Sequence, residues 1–288
     1  MVNMIPETGM HYSDFGEGPP LVFVHALGLN TGMWSLQVPV LAQRYRVIRY
    51  DVRGHGLTPY SPEPLTIHTL ASDLATLMDT LGLEQAAIIG ISMGGMIAQA
   101  FASNYPERAA ALVLVSSASV FPEAGRAGLK ERARLAAESG MAPMVAPAID
   151  RWFTGQFKAK ALDNPLASTG GGPDVPEALR LNRYAYEAGI VAAISQMILG
   201  TDPRGYAACC LALAETDITP DLHRIKCPTL VMSGAEDPTL SVESQENLAV
   251  GISQSTRLVV EDSSHLVPIE QAEEFNNHLL NFLGWCNY

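Results

Sequence analysis

The stretch "IIGISMGGMIA" (residues 88–98) joins an apolar run to the beginning of a helical pattern through a serine set between glycines. The order Gly-x-Ser-x-Gly between a strand and a helix is typical of a sharp, strained turn that lifts the Ser92 hydroxyl clear of a sheet. Side chains at Gly90 and Gly94 would collide where the strand and the helix cross. The stretch therefore predicts that Ser92 is a nucleophile at the end of a buried strand.

Apolar runs and helical patterns alternate on both sides of this stretch. Six short runs rich in Val and Ile predict buried strands, at 19–26, 45–51, 86–92, 109–117, 227–234 and 255–262. Helical patterns cover 66–83, 93–106 and 269–283. Continuous apolar strands separated by helices indicate an α/β fold with a mostly parallel central sheet and helices on both faces.

The middle of the chain has a different character. From about residue 120 to 210 no strand pattern occurs, and helical stretches surround a glycine- and proline-rich loop at 168–176. Ten basic and nine acidic residues make this part nearly neutral, whereas the rest of the chain has 8 basic and 21 acidic residues. We interpret 120–210 as a helical cap, or lid, over the carboxyl ends of the strands, and 1–119 with 211–288 as the core domain. The alternative is an ordinary layer of surface helices.

The composition indicates a globular protein and disfavours anionic partners. Apolar residues make up 48% of the 288 residues, and the formal net charge is −12, whereas nucleic acid or an anionic membrane needs a cationic face. No apolar run approaches the roughly 20 residues that span a bilayer, and the N-terminus lacks the segments of a secretion signal. The four cysteines lack metal-site spacing. We expect a reduced, cytoplasmic protein with no metal, no nucleic acid and no membrane partner, and the sequence allows a homo-oligomer.

Ser92 needs a base to take its proton, and the base needs a carboxylate to orient it. The expected chain order for a nucleophile of this type is serine, acid, histidine. Asp237 lies in the turn after the predicted strand 227–234, and His265 follows the last strand 28 residues later. Of the seven histidines, only His265 both follows the acid and lies at a strand end. Glu236 is the rival acid, although its longer side chain would overshoot.

The oxyanion formed during acyl transfer needs two hydrogen-bond donors. One is expected at the N–H of Met93, at a helix N-terminus that favours negative charge. The other is expected at the N–H of Leu27, in the loop after the first parallel strand. His25 in this loop, and Arg53 with His55 in the next glycine-rich loop, are interpreted as structural supports rather than catalysts.

These motifs together resemble the α/β-hydrolase family over essentially the whole chain. The residues that carry the resemblance are "HALG" (25–28), "DVRGHG" (51–56), "GISMGG" (90–95), "GAED" (234–237) and His265. Within that family the chain resembles the 3-oxoadipate enol-lactone hydrolases, through "LGLNTGMW" (27–34), "RWF" (151–153), "DPRGYAACC" (202–210) and "HLVPIEQAEEF" (265–275). One departure is the stretch 163–201, which makes the region between "RWF" and "GYAACC" longer than in those enzymes.

The resemblance implies a lid domain, no cofactor, and Ser92, Asp237 and His265 as the catalytic triad. It also implies a small-molecule lactone or ester substrate, of the kind made during the degradation of aromatic compounds. The longer lid is expected to alter substrate choice and to leave the hydrolytic chemistry unchanged.

A carboxylate-bearing substrate on an acidic protein would need local cations. We prefer Arg151, because Trp152 beside it can line a pocket, and Trp34 is a further candidate for the pocket wall. Each of these side chains has an alternative, a solvated helix face for the arginine and the core for Trp34. The remaining candidate cations are Arg126, Arg134, Lys158 and Arg183.

Other functions are compatible with the same motifs. A general carboxylesterase, or a hydrolase of carbon–carbon bonds, would use the same triad and would act on aryl esters or diketones. A cofactor-free haloperoxidase or perhydrolase would use the same serine and would show peroxide-dependent halogenation. A receptor-like binding protein of this fold would keep the triad, associate with a partner when ligand is present, and turn over little.

Overall fold

A computed structural model describes residues 2–162, 177–240 and 242–288, and the side chains of 3–161, 187–240 and 244–288. The strands are β1 Val2–Ile5, β2 Met10–Phe15, β3 Pro20–Val24, β4 Arg46–Tyr50, β5 Ala86–Ile91, β6 Ala109–Val115, β7 Thr229–Gly234 and β8 Ser255–Val260. The helices are α1 Val38–Leu41, α2 Ile67–Thr80, α3 Met93–Asn104, α4 Glu123–Ser139, α5 Ala142–Trp152, α6 Gly155–Leu162, α7 Glu177–Leu199, α8 Pro203–Glu215, α9 Val242–Gly251, α10 Val267–Glu270 and α11 Ala272–Trp285. Short 3-10 helices lie at Thr31–Trp34 and Thr219–Arg224.

The described strands form one eight-stranded sheet in the order β1-β2-β4-β3-β5-β6-β7-β8. Neighbouring strands from β4 and β3 through β8 are parallel, whereas β1 with β2 and β2 with β4 are antiparallel. All six predicted strands are present within a few residues of their predicted bounds. The predicted α/β fold with a mostly parallel sheet is confirmed.

The antiparallel strands β1 and β2 are not predicted from the sequence. β2 has the sequence "MHYSDF", of which only Met10 and Ser13 are fully buried. By contrast, every residue of β5 and β7 is buried. A strand that is half exposed and rich in polar side chains lacks the continuous apolar run that identifies the central parallel strands.

The two helices that support the centre of the sheet follow their predicted patterns. α2 buries Leu70, Leu74 and Leu77 on one face. Its C-terminal end is followed by Gly82 at a φ of +66°, the left-handed conformation that stops a helix. α3 begins directly after Ser92 and packs against α2, β5 and β6. The turn that carries Ser92 is therefore held between a buried strand and a buried helix.

Helices α4–α8 lie between β6 and β7, and we call them the inserted helices. α4 packs along α8, and α7 packs against α5 and α6. The predicted lid boundary at residue 210 falls inside α8, because the Ala-rich helix continues to Glu215. The loop predicted at 168–176 lies outside the described residues.

The segment that leads into α8 is hydrogen-bonded to two loops of the core. The Thr201 hydroxyl donates to the carbonyl of Gly28 at 3.1 Å, and the Asp202 N–H donates to the carbonyl of Gly54 at 3.1 Å. A Cβ on Gly54 would lie only 2.5 Å from the Cα of Gly205. Glycine at both positions therefore lets the two backbones pass in contact.

Candidate active site

The three predicted catalytic residues follow three parallel strands at one edge of the sheet. Ser92 comes directly after β5, Asp237 three residues after β7, and His265 five residues after β8. Because β6 alone separates β5 from β7, those two strands are about 10 Å apart. The topology brings these side chains from distant parts of the chain to the carboxyl edge, where open α/β sheets bind ligands.

Ser92 is held in a strained turn. Its backbone angles are φ +53° and ψ −116°, in a region that glycine adopts far more readily than serine. Its N–H donates to the carbonyl of Val115 at 2.9 Å. Its carbonyl accepts from the N–H groups of Gly95 and Met96, at 3.0 and 3.1 Å, and from the Ser117 hydroxyl at 3.0 Å. These hydrogen bonds stabilise a conformation that serine alone would avoid.

The glycines around Ser92 are required by close packing, as predicted. A Cβ on Gly90 would overlap the carbonyl oxygen of Gly94, and a Cβ on Gly94 would overlap the carbonyl oxygen of Val24. A Cβ on Gly95 would overlap the side chain of Ser117. Strand, turn and helix thus meet in van der Waals contact, which fixes Ser92 at the N-terminus of α3.

His265 and Asp237 are joined by a buried hydrogen bond, with Nδ1 of the imidazole 2.8 Å from Oδ2 of the carboxylate. The other oxygen, Oδ1, accepts from the N–H groups of Thr239 and Leu240 at 2.8 and 3.2 Å. Burial raises the pKa of Asp237, but the imidazole and the two N–H donors outweigh that effect, so the pKa lies below its ordinary value. Asp237 is therefore an anion that holds the Nδ1 proton, and Nε2 is the ring atom left to act as a base.

The loop that carries His265 lies directly against the end of β7. A Cβ on Gly234 would overlap the carbonyl oxygen of Ser264, so only glycine allows this approach. Glu236 is exposed, whereas Asp237 is buried against the imidazole. The structure thus brings Asp237 rather than Glu236 to His265, and the catalytic roles of these residues stay predictions.

The two predicted oxyanion donors have no hydrogen-bond acceptor among the described residues. Met93 is the first residue of α3, so its N–H has no acceptor one turn earlier in the helix. Leu27 follows β3 in a loop that turns at Gly28, whose φ is +77°. The Ser92 hydroxyl likewise makes no hydrogen bond within the described part of the chain. Two donors and one hydroxyl are therefore available to a ligand at this edge.

His25 and His55 have surroundings unlike those of His265. Nδ1 of His25 donates to the carbonyl of Ala26 at 2.8 Å, and Nε2 accepts from the N–H of Val52 at 2.9 Å. Burial lowers the pKa of His25 to about 4 and that of His55 to about 3. Both imidazoles are neutral at pH 7. His25 joins its loop to Val52 of the next one, and the His55 ring packs against it with centroids 5.2 Å apart, as expected of structural supports.

Trp34 belongs to the core, which corrects its assignment to the pocket wall. Its side chain is completely buried. Its ring packs against Phe23 and Phe275, with centroids 4.9 and 6.2 Å apart. A side chain enclosed in this way leaves no surface for a substrate to touch.

Trp152, in contrast, lies over the imidazole of His265. The two rings are stacked, with centroids 6.2 Å apart and 18° between their planes. The carbonyl of Trp152 accepts from the Leu266 N–H at 3.3 Å, and the carbonyl of Arg151 accepts from the Ser264 hydroxyl at 3.0 Å. The C-terminal end of α5 is thus bound to the loop on both sides of His265.

Glu270 strengthens this junction and is not predicted from the sequence. Its Oε2 accepts from the Ser264 N–H at 2.6 Å, and its Oε1 accepts from the Thr154 N–H at 2.8 Å. Burial raises the pKa of Glu270, an effect that the two N–H donors oppose. A carboxylate in the otherwise apolar run "LVPIE" (266–270) is the signal that could have identified it.

The predicted Arg and Lys side chains differ in whether they form an ion pair with a carboxylate. Arg134 is exposed and pairs with two glutamates of its own helix, and Lys158 pairs with an exposed aspartate of α5. Arg126 donates to a backbone carbonyl at 2.9 Å. Arg183 lies outside the described side chains. Arg126 and Arg151 are both half-buried and have no ion-pair partner within the described part of the chain, and Arg151 is the one that precedes Trp152 beside His265.

Two further features bear on the class of site. The described helices include none that is long and apolar enough to cross a membrane. Across the same residues, no three His, Cys, Asp or Glu side chains are grouped so that they could hold a metal ion.

Known proteins share this fold and about a third of this sequence. The model of the "alpha/beta hydrolase fold" family matches residues 19–272. The 3-oxoadipate enol-lactonase 2 of Acinetobacter baylyi is 35% identical over 273 residues, covering 94% of this chain and 91% of that one. The crystal structure of the enol-lactonase from Burkholderia xenovorans LB400 has a TM-score of 0.85 at 30% identity, covering 99% and 100% of the two chains. A malate-bound thermophilic esterase from Thermogutta terrifontis has a TM-score of 0.83 at 29% identity, covering 100% and 98%. This chain belongs to the α/β-hydrolase family and is a hydrolase.

Proposed function

We propose that the protein opens a lactone or another activated ester through an acyl-enzyme on Ser92, with Asp237 and His265 completing the triad. The observation that carries this proposal is the buried hydrogen bond between His265 and Asp237, at the sheet edge where Ser92 occupies a strained turn. The similarity to two enol-lactonases supports a lactone of the 3-oxoadipate enol-lactone type.

Acylation begins when Ser92 Oγ attacks the ester carbonyl carbon and its proton passes to Nε2 of His265. The carbonyl oxygen becomes an oxyanion held by the N–H groups of Leu27 and Met93, and each donor of this kind lowers the barrier by about 3 kcal/mol. Asp237 stabilises the imidazolium. The bond to the ring oxygen then breaks. In an enol lactone that oxygen leaves as an enolate, which is a better leaving group than an alkoxide and then takes the proton from His265.

Deacylation restores the enzyme. A water molecule gives a proton to Nε2 of His265 while its oxygen attacks the acyl carbon. The ester bond to Ser92 breaks, and the serine oxygen takes the proton back from the imidazolium. One water is consumed, and the product is a carboxylic acid that retains the opened ring as its chain.

We also propose that the inserted helices act as a lid over this site. Trp152 stacks on His265, and the C-terminal end of α5 is hydrogen-bonded to the loop of His265. These contacts support a lid that borders the reacting atoms. The lid would exclude water and determine which acyl groups fit.

We infer a reducing compartment, as expected for a cytoplasmic enzyme. All four cysteines are free thiols, and Cys209, Cys210 and Cys227 are buried. Burial raises the pKa of Cys227 to about 11, so its thiol is neutral and unreactive at pH 7. Free buried thiols are typical of proteins that do not rely on disulfides.

Replacement of the nucleophile tests the mechanism directly. We expect Ser92→Ala to lose at least about 10⁵-fold in kcat with an unchanged circular dichroism spectrum and Tm, because no other hydroxyl replaces the attacking oxygen. A fluorophosphonate probe should label wild type and Ser72→Ala, which removes an exposed serine of α2, and should not label Ser92→Ala. Normal turnover by Ser92→Ala would exclude the acyl-enzyme.

A general carboxylesterase is the second candidate, supported by the similarity to the Thermogutta terrifontis esterase. A panel of enol lactones, aryl esters and diketones separates the candidates by their relative kcat/KM. Faster hydrolysis of simple aryl esters than of lactones would favour the esterase. Peroxide-dependent halogenation would favour a perhydrolase, and ligand-dependent protein association without turnover would favour a binding protein.

A further inference from the structure

A cavity of about 370 Å³ lies beside strands β2 and β4. Residues of the segments 30–32 and 56–57 also line it. None of the three proposed catalytic residues does, so the cavity is separate from the candidate active site. Its volume is within the range of sites that bind small molecules. The chemistry of its wall therefore indicates what it binds.

Side chains from alternate positions of the two strands form one wall of the cavity. In β2 these are His11, Ser13 and Phe15, and beside them lie Arg49 of β4 and Asp51, which follows that strand. Ser13 is opposite Arg49 in the antiparallel pairing of β2 with β4. Alternate residues of a strand point to the same face, so these side chains share one face of the sheet. The polar character that hides β2 from prediction thus belongs to a wall of this cavity.

The cation of this wall, Arg49, is held in place by neutral groups. Its Nε donates to the Ser13 hydroxyl at 3.1 Å, and its Nη1 donates to the carbonyl of Thr31 at 3.0 Å. Its Cζ lies 5.4 Å from the centre of the Phe15 ring, a cation–π contact. Among the described side chains no carboxylate forms an ion pair with Arg49, whereas Arg46 on the same strand pairs with an aspartate of β2. The guanidinium is thus fixed in position, and no contact neutralises its charge.

Asp51 lines the same cavity but uses its oxygens elsewhere. Its Oδ1 accepts from the Thr31 N–H at 2.8 Å, and its Oδ2 accepts from the Leu57 N–H at 2.9 Å. A Cβ on Gly56 would overlap Oδ2, so the backbone encloses the carboxylate closely. Asp51 is only 4% exposed, whereas Arg49 is half-buried. A ligand in the cavity therefore meets the guanidinium rather than the carboxylate.

The free N–H groups of Arg49 define the chemistry of the ligand. Two of the five N–H groups of the guanidinium donate to Ser13 and Thr31, which leaves three, two of them on Nη2. Nη2 makes no hydrogen bond within the described part of the chain and is not an enclosed atom. These donors lie in one plane and match the two oxygens of a carboxylate. Phe15 and the exposed side chain of Leu57 also line the cavity and suit an apolar body beside that carboxylate.

We propose that this cavity binds a small carboxylate with an apolar body, whose oxygens accept from Nη1 and Nη2 of Arg49. On a chain whose net charge is −12, a fixed cation without an ion-pair partner is the kind of local positive charge that an anion needs. The binding does not depend on the proposed hydrolysis, because no residue of the proposed triad lines the cavity.

The test compares benzoate with benzamide, which have the same ring and differ in charge. In calorimetry, benzoate should bind wild type at least about tenfold more tightly than benzamide, and more weakly at high salt. Arg49→Gln should lower the affinity for benzoate by about 10- to 100-fold. Arg49→Lys keeps the charge without the planar donors and should recover part of that loss. Inorganic phosphate that binds as tightly as benzoate would contradict a site for a carboxylate with an apolar body.

A second pair of variants avoids the hydrogen bonds that Arg49 makes within the fold. Leu57 is 62% exposed, so its replacement leaves the core intact. Leu57→Glu places a negative charge beside the cavity and should weaken benzoate binding by about tenfold, whereas Leu57→Gln should weaken it by less than about threefold. Arg46→Gln removes a paired arginine from the same strand and should leave benzoate binding unchanged. Equal affinity of wild type, Arg49→Gln and Leu57→Glu for benzoate would overturn the proposal.

Anomalous diffraction from crystals soaked in 4-bromobenzoate locates the ligand directly. We expect the bromine signal in the cavity beside Arg49 in wild type and no signal there in Arg49→Gln. A signal beside Ser92 alone would overturn this proposal and leave the proposed function as it stands. A signal beside Arg49 in a protein that hydrolyses no ester would reject the proposed function and keep the carboxylate site.

Discussion

His25 and His265 lie in loops at the same edge of the sheet and are equally buried, yet their hydrogen bonds differ. His25 uses both ring nitrogens on the backbone, at Ala26 and Val52. His265 uses only Nδ1, on the carboxylate of Asp237, and its Nε2 has no partner among the described residues. Burial therefore does not distinguish a supporting histidine from the proposed base. The distinction lies in whether one nitrogen is left without a partner while an anion stabilises the charge on the other.

The largest expected effect is the difference in kcat between His265→Gln and His25→Gln. We expect His265→Gln to lose about 10⁵- to 10⁶-fold in kcat and to keep its fold, because the amide cannot take the proton of Ser92. His25→Gln should keep measurable turnover and lose roughly 1–3 kcal/mol in the free energy of unfolding, because a buried backbone group loses its partner. Steady-state kinetics and urea unfolding check both. Comparable kinetic losses in the two variants would contradict the comparison.

Substitution of two adjacent residues, Asp237 and Glu236, tests which carboxylate is the partner of His265. Asp237→Asn should lower kcat by about 10⁴-fold, because an amide at that position favours the wrong tautomer of the imidazole. Glu236→Gln, one residue earlier, should leave kcat within about twofold, because Glu236 is exposed and does not contact the ring. A large loss in Glu236→Gln would show that the acid is misassigned.

Glu270 tests whether the position of His265 depends on its junction with α5. In Glu270→Gln, one of the two N–H donors, from Ser264 or Thr154, faces an NH₂ group instead of an oxygen. We expect about a tenfold lower kcat, little change in KM and a lower Tm. Glu273→Gln, in an exposed part of α11, is the matched control. A lower Tm with unchanged kcat would mean that the junction supports the fold without positioning the imidazole.

The smallest expected effect is a pH dependence of stability that arises from His25. Its pKa is about 4 in the folded protein and about 6.5 in the unfolded chain, so the unfolded state binds more protons between those values. The contribution of His25 to the free energy of unfolding is fully present above pH 6.5 and is lost as the pH falls. The loss amounts to roughly 2 kcal/mol between pH 7 and pH 5. The free energy of unfolding, measured with urea at pH 7 and pH 5, should change less between the two pH values for His25→Gln than for wild type. An identical difference would contradict the buried, neutral state of His25.

The sequence predicts the parts of this molecule that depend on local pattern. The central parallel strands β5, β6 and β7 are buried on both faces, so their apolar runs are visible without any tertiary information. Ser92, Asp237 and His265 are identifiable because each must follow a strand in a set order. The β1–β2 hairpin escapes prediction because β2 is half exposed and rich in polar side chains, and β1 has only four residues.

Residues that meet only through tertiary packing could not be predicted in the same way. Trp34 is an aromatic residue near the loop that carries Leu27, and only its packing against Phe23 and Phe275 shows that it belongs to the core. Glu270 and Thr154 are 116 residues apart in the chain and meet only in the fold, where the Thr154 N–H donates to the Glu270 carboxylate. Helical periodicity places a residue on a face but does not say which helix that face will meet.

The entry of the chain into α8 has a consequence for redesign. Thr201 contacts Gly28, and Asp202 and Gly205 contact Gly54, so this segment is fixed to the two glycine loops of the core. A chimaera joined just before Thr201 would take helices α4–α7 from a relative. It would keep this chain's own contacts of Thr201, Asp202 and Gly205 with Gly28 and Gly54. A chimaera joined after Gly205 would combine segment 201–205 of a relative with this chain's loops at Gly28 and Gly54. That mismatch would disturb the loop that carries Leu27. An exchange of the proposed lid between relatives is therefore best joined just before Thr201, ahead of the close contact between Gly54 and Gly205.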